Sequence, residues 1–175
     1  MFEISADNLC WINENTDDPE DLCAHGNVKV KIGDESYEYY CTVSAAALYL
    51  LKSITEDHIM DTELQLLPCC GFFMVEDSEK SDNVIILGCP NGIDWTVTHN
   101  ENNVILTTRG GQKVTVSLNE YIEQIFEFAD KIQDFYKHSS PKTISDETKK
   151  KMYDLFWREW KTRRNPNVRH NRKIQ

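Results

Sequence analysis

Along the first two thirds of the chain, apolar residues recur mostly at every second position, the period of a half-buried strand. In the last third they recur at helical spacing. Phe2–Ile4 predicts a short strand, and the polar, acidic residues 13–21 read as a long surface loop. Val28, Val30 and Ile32 alternate with Lys29 and Lys31; Gly33-Asp34 then supplies turn chemistry and Ser36–Val43 a return strand. Ser44 is expected to cap a helix over Ser44–Ile54, with Ala47, Leu48, Leu51 and Ile54 on one face. Residues 56–63 read as a polar, acidic loop. Leu66–Val75 predicts a strand broken at Pro68 and relaunched after Gly71. Val84–Leu87 is apolar throughout, as a central strand would be. Trp95–His99 alternates again, and Val104–Thr108 and Lys113–Ser117 flank the turn Arg109-Gly-Gly-Gln112.

Ser117-Leu-Asn-Glu120 has capping-box spacing and opens a helix running to His138. Tyr121, Ile122, Ile125, Phe128 or Ala129, Ile132, Phe135 and Tyr136 trace its apolar face. Ser139-Ser-Pro141 ends it. Ser145 is expected to cap a last helix to Arg163, with Met152, Phe156 and Trp160 spaced at four residues and Asn165-Pro166 as the stop. The fold class predicted is α+β. Its sheet is an antiparallel meander of about five to seven strands, with one helix inserted after the first hairpin and two C-terminal helices packed on one face. Residues 1–163 form one domain and 164–175 a basic, flexible tail.

Charge changes the picture more than composition does. Residues 1–157 hold 12 basic against 28 acidic residues, a net of −16, whereas residues 158–175 carry a net of +6. An acidic body repels nucleic acid and anionic membrane and attracts basic proteins. No run approaches the roughly 18 apolar residues of a membrane span. The first residues lack the basic and apolar regions of a signal peptide. The expectation is a cytoplasmic protein that binds neither nucleic acid nor membrane.

Candidate chemistry is sparse. Six cysteines in such a context are expected to be buried, reduced thiols. Cys23-Ala-His25 lacks zinc-site spacing, and Cys69-Cys70 with Cys89 offers three thiols. A vicinal pair on a strand points to opposite faces, which defeats joint ligation. No metal or cofactor is therefore expected. Cys89 with His99 is the one nucleophile–base pairing to weigh; otherwise no catalytic residue is assigned. The Arg109–Gln112 turn has no following helix to cradle phosphate.

The carboxylates offer a docking face for a basic partner, made of Glu14, Asp17, Asp18, Glu20 and Asp21, then Glu56, Asp57, Asp61 and Glu63, then Glu76, Asp77, Glu79 and Asp82. Tyr153 and Trp157, beside Phe156 and Trp160, are candidate aromatic anchors for a partner. The segment Phe126-Glu-Phe-Ala-Asp-Lys-Ile-Gln-Asp-Phe-Tyr136, the Ser-Ser-Pro-Lys142 break and Phe156-Trp-Arg-Glu-Trp160 resemble small bacterial immunity proteins of contact-dependent and polymorphic toxin systems, with Gly92-Ile-Asp-Trp95 as support. The resemblance covers the C-terminal third. It implies a cytoplasmic α+β protein that binds and blocks one toxin domain, and the acidic body suits a basic nuclease. The alternatives are a small enzyme using Cys89 and His99, or an adaptor that forms a homodimer through its last helix.

Overall fold

A helix with almost no polar face lies at the centre of the molecule. In α1 (Val43–Ser53) every residue except Lys52 is buried. A helix apolar all round is stable only when neighbours cover it on every side. The computed structural model describes residues 1–13, 16–61, 64–71 and 73–165. Thr42, not Ser44, stands at the N-cap of α1, and Ser44 is buried in its first turn.

Around α1 the strands form four small antiparallel sheets. β1 (Phe2–Cys10), β2 (His25–Ile32) and β3 (Glu35–Cys41) pair in the order β1-β2-β3. β4 (Leu67–Pro68) pairs with β7 (Gly92–Ile93), and β5 (Phe73–Glu76) with β6 (Val84–Leu87). β8 (Thr96–Asn100), β9 (Asn103–Thr107) and β10 (Lys113–Ser117) form the last sheet, with β9 in the middle. The α+β class stands, but the single meander does not. Alternation marks the two faces of a strand and says nothing of its partner.

β1 runs well past the predicted Ile4. Phe2, Ile4 and Ala6 face inward until a register shift between Asp7 and Cys10, where Asn8 takes a left-handed backbone (φ 50°). Gly33 (φ 62°) makes the β2–β3 turn.

The two C-terminal helices do not share one face. α2 (Leu118–His138) crosses β1, β9 and β10, whereas α3 (Glu147–Arg163) lies on β5 and β6; both touch α1. The Ser117–Glu120 capping box is complete. α3 is capped by Asp146, whose carboxylate accepts from the Lys149 amide at 2.8 Å, rather than by Ser145. The start of the basic tail folds back on the body. Arg164 forks onto Asp130 at 2.7 and 2.5 Å and sits 3.9 Å above the Phe126 ring. The rest of the predicted tail, residues 166–175, lies outside the described residues.

His25 gives the fold a pH dependence. It is buried in β2, stacked on Tyr40 and 3.3 Å from Thr42 Oγ1. Burial pushes its pKa below the ordinary 6.5. The unfolded chain therefore takes up a proton that the folded protein resists. Stability is full above about pH 6.5 and falls as the pH drops toward the folded value. Urea midpoints measured across that window should fall less steeply for His25→Asn than for the unsubstituted protein.

Candidate partner-binding surface

The β5–β6 ribbon turns an apolar face to solvent. Phe73 pairs with Leu87 and Val75 with Ile85, so these four side chains share one face. Phe73 is 58% and Leu87 44% exposed, and Val75 and Ile85 are half-buried. The opposite face carries Val84 and Ile86 into the core.

Side chains fix this orientation. The Val84 amide donates to Glu159 Oε2 at 2.7 Å, and Lys52 Nζ donates to the Val84 carbonyl at 2.6 Å. Tyr49 Oη donates to the Ile86 carbonyl at 2.6 Å and accepts from the Ile86 amide at 3.2 Å. The free edge of β6 is thus closed by α1 and α3 rather than by a strand. The apolar run Val84–Leu87, expected to be central, is a ribbon strand whose second neighbour is a row of side chains.

The other edge is open. Since Val84 and Ile86 turn their peptide groups away from β5, the ladder bonds fall at Phe73–Leu87 and Val75–Ile85. The peptide groups of Met74 and Glu76 therefore point outward, and they make no hydrogen bond among the described residues. An unpaired edge is a template for an added strand. Beside it lies a cleft of about 440 Å³. Met74, Leu22, Cys23, Ile144 and Met152 line it, and Glu20 and Asp146 are among its polar lining.

Most of the described candidate carboxylates are engaged within the chain. Asp17 accepts from the Ser140 amide at 2.6 Å, which holds it below its ordinary pKa. Asp18 accepts from the Glu20 amide, and Asp21 from the amides of Ile12 and Cys23. Asp18 and Asp21 thus shape their own loop, and Asp17 ties it to the segment after α2. Glu56 pairs with Arg163 at 2.8 Å and Lys80 at 3.1 Å. Burial pushes the Glu56 pKa up, but the two cations more than offset it and leave it lowered. Asp57 holds the ring and amide of His99, Asp61 pairs with Arg109, and Glu76 with Lys151. Asp77 closes its turn on the amides of Glu79 and Lys80. Among the described residues, Glu20, Glu79 and Asp82 keep side chains without an ion pair or hydrogen bond. Glu20 lies at the cleft, and Glu79 and Asp82 at the tip of the ribbon. Glu14 and Glu63 lie outside the described residues.

The aromatic candidates are spent largely on their own chain. Trp157 meets Tyr136 edge-on at 5.0 Å, with Phe156 at 5.1 Å and Trp160 at 5.3 Å, and Tyr153 stacks on Phe156. Cys89 and His99 make no contact with one another. His99 Nδ1 is 2.6 Å from Asp57 Oδ1 and Nε2 is 3.1 Å from the Ile54 carbonyl, while the Cys89 sulfur sits against Cys69 and Cys70. Cys23 and Cys41 are buried as expected, and burial pushes both thiols up to about 12. Cys69 and Cys89, however, are joined in a disulfide. The vicinal pair was expected to diverge, yet Cys69, Cys70 and Cys89 converge. Cys69 and Cys70 lie in a bend after Pro68 and Cys89 in the loop after β6, where strand alternation does not apply.

No protein-family model, curated protein or solved structure matches the chain. No described helix is long and apolar enough to cross a membrane.

Proposed function

We propose that this protein binds and blocks a basic protein, as a cytoplasmic immunity protein that neutralises a cognate toxin domain, with a nuclease as the best charge match. The observation that carries the reading is the β5–β6 ribbon, apolar on its outer face and unpaired along β5. Such a ribbon offers main-chain pairing for affinity and side-chain pockets for selectivity. The body charge of −16 draws a basic partner in and opposes a second acidic copy. Apolar contact and edge pairing then hold it over its own working surface. No catalytic group is needed for such blockade.

Affinity purification of the tagged chain from its native host at low salt, followed by intact-complex mass spectrometry, tests this. A stoichiometric basic protein released by raising the salt is the expected result. Recovery of a homodimer or of an acidic partner contradicts it. Glu20, Glu79 and Asp82 are the residues to reverse to Lys, because Asp21 also holds its loop and Asp17 anchors that loop to Ser140. The triple reversal should slow association about tenfold or more at low salt and much less at high salt. An unchanged association rate contradicts steering.

A further inference from the structure

Three sulfurs meet at the base of the ribbon. Cys69 and Cys70 lie between β4 and β5, and Cys89 follows β6 by two residues. Their Sγ atoms all lie within 4.8 Å of one another, and all three residues are half-buried, within reach of a solute. Cys70 Sγ is 3.1 Å from Cys89 Sγ and accepts from the Cys89 amide at 3.1 Å. The Cys69 amide donates to the Asn91 carbonyl at 3.0 Å, which ties the two loops together. Gly88 permits the close approach, since a Cβ there would collide with the Cys70 carbonyl oxygen.

We propose that the reduced protein holds one thiophilic, closed-shell metal ion on the thiolates of Cys69, Cys70 and Cys89. The Cys69–Cys89 disulfide is then the oxidised, metal-free form of the same site. Soft thiolates select copper(I) and zinc(II) over hard cations. Among the described residues no further His, Cys, Asp or Glu joins the three. A three-sulfur set suits trigonal copper(I), and zinc(II) would complete its four positions with water. The Cys89 amide supplies an outer-shell donor to the Cys70 sulfur, as ligating groups usually require. Cys70 is the informative member, because the disulfide leaves it free.

Opening the site takes a dithiol. Two electrons and two protons pass to the Cys69 and Cys89 sulfurs, and the dithiol leaves as its own disulfide. The ion then displaces the three thiol protons. Because the cluster joins the chain entering β5 to the chain leaving β6, either the ion or the disulfide keeps the base of the ribbon closed.

The test titrates full-length, anaerobically reduced protein with copper(I) against a chromophoric chelator, and with zinc(II) followed by native mass spectrometry. Uptake of one equivalent of either ion is expected, and which ion binds tighter distinguishes the three-sulfur set from the water-completed one. Cys70→Ser should weaken that binding by more than about 100-fold, Cys10→Ser should leave it unchanged, and the oxidised protein should take up none. Cys70→Ser can still form the Cys69–Cys89 disulfide, so circular dichroism of its oxidised form reports whether the fold survives. No uptake by the reduced protein, or equal affinity in folded Cys70→Ser, overturns the proposal.

Discussion

Replacing Glu159 by Ala will destabilise the protein by about 3–5 kcal/mol, the usual cost of removing one partner from a buried charge network. Glu159 is 3% exposed. Its Oε1 meets Arg163 Nε at 2.7 Å and Lys52 Nζ at 3.4 Å, and its Oε2 accepts the Val84 amide. Truncation leaves Lys52 charged in a site where burial already pushes its pKa down, and it orphans a buried amide. Arg163 keeps Glu56, so the loss concentrates on Lys52 and β6. In a chain of this length the melting temperature should fall by roughly 10 °C or more. Glu159→Gln retains an acceptor for Val84 but not the charge and should fall between. A melting temperature within a degree or two of the parent would mean that α3 does not anchor the ribbon.

The second large effect is on binding. Truncating Phe73 and Leu87 together to Ala should weaken the complex with the captured partner by about 100-fold or more, since central apolar anchors commonly cost 2 kcal/mol or more each. Both side chains are exposed in the free protein, so its stability should shift by only about 0.5 kcal/mol. The kinetics separate this change from charge reversal. Removing apolar contact leaves the charge untouched, so the association rate holds and dissociation quickens. Reversing Glu20, Glu79 and Asp82 should act chiefly on association. An unaltered dissociation rate in the Phe73/Leu87 double variant would remove the ribbon face from the interface.

Local signals in the chain read well. The Ser117–Glu120 capping box and the turns at Gly33 and Gly111 depend on residues within a few positions of each other. The Asp18 and Asp77 turns are equally local, each carboxylate bonding the amide two residues on, and they could have been found by that spacing. What escaped depends on long-range closure. Val84–Leu87 has the composition of a central strand, but Tyr49, Lys52 and Glu159 occupy its second edge from 32 to 75 residues away. Glu159 sits in a basic stretch and gives no local sign that it is buried. The open edge of β5 follows only from that occupation. The three-sulfur cluster was half visible: pairing Leu66–Val75 with Val84–Leu87 in a hairpin would have brought Cys70 toward Cys89.

The central claim is that a partner seats on the β5–β6 ribbon, and amide hydrogen exchange with mass spectrometry tests it most directly. The chain is compared free and in complex with the basic protein captured at low salt. The account predicts new protection across residues 73–76, where the Met74 and Glu76 amides point outward, with little change along β9. Protection confined to other elements, with residues 73–76 exchanging as fast as in the free chain, would contradict it.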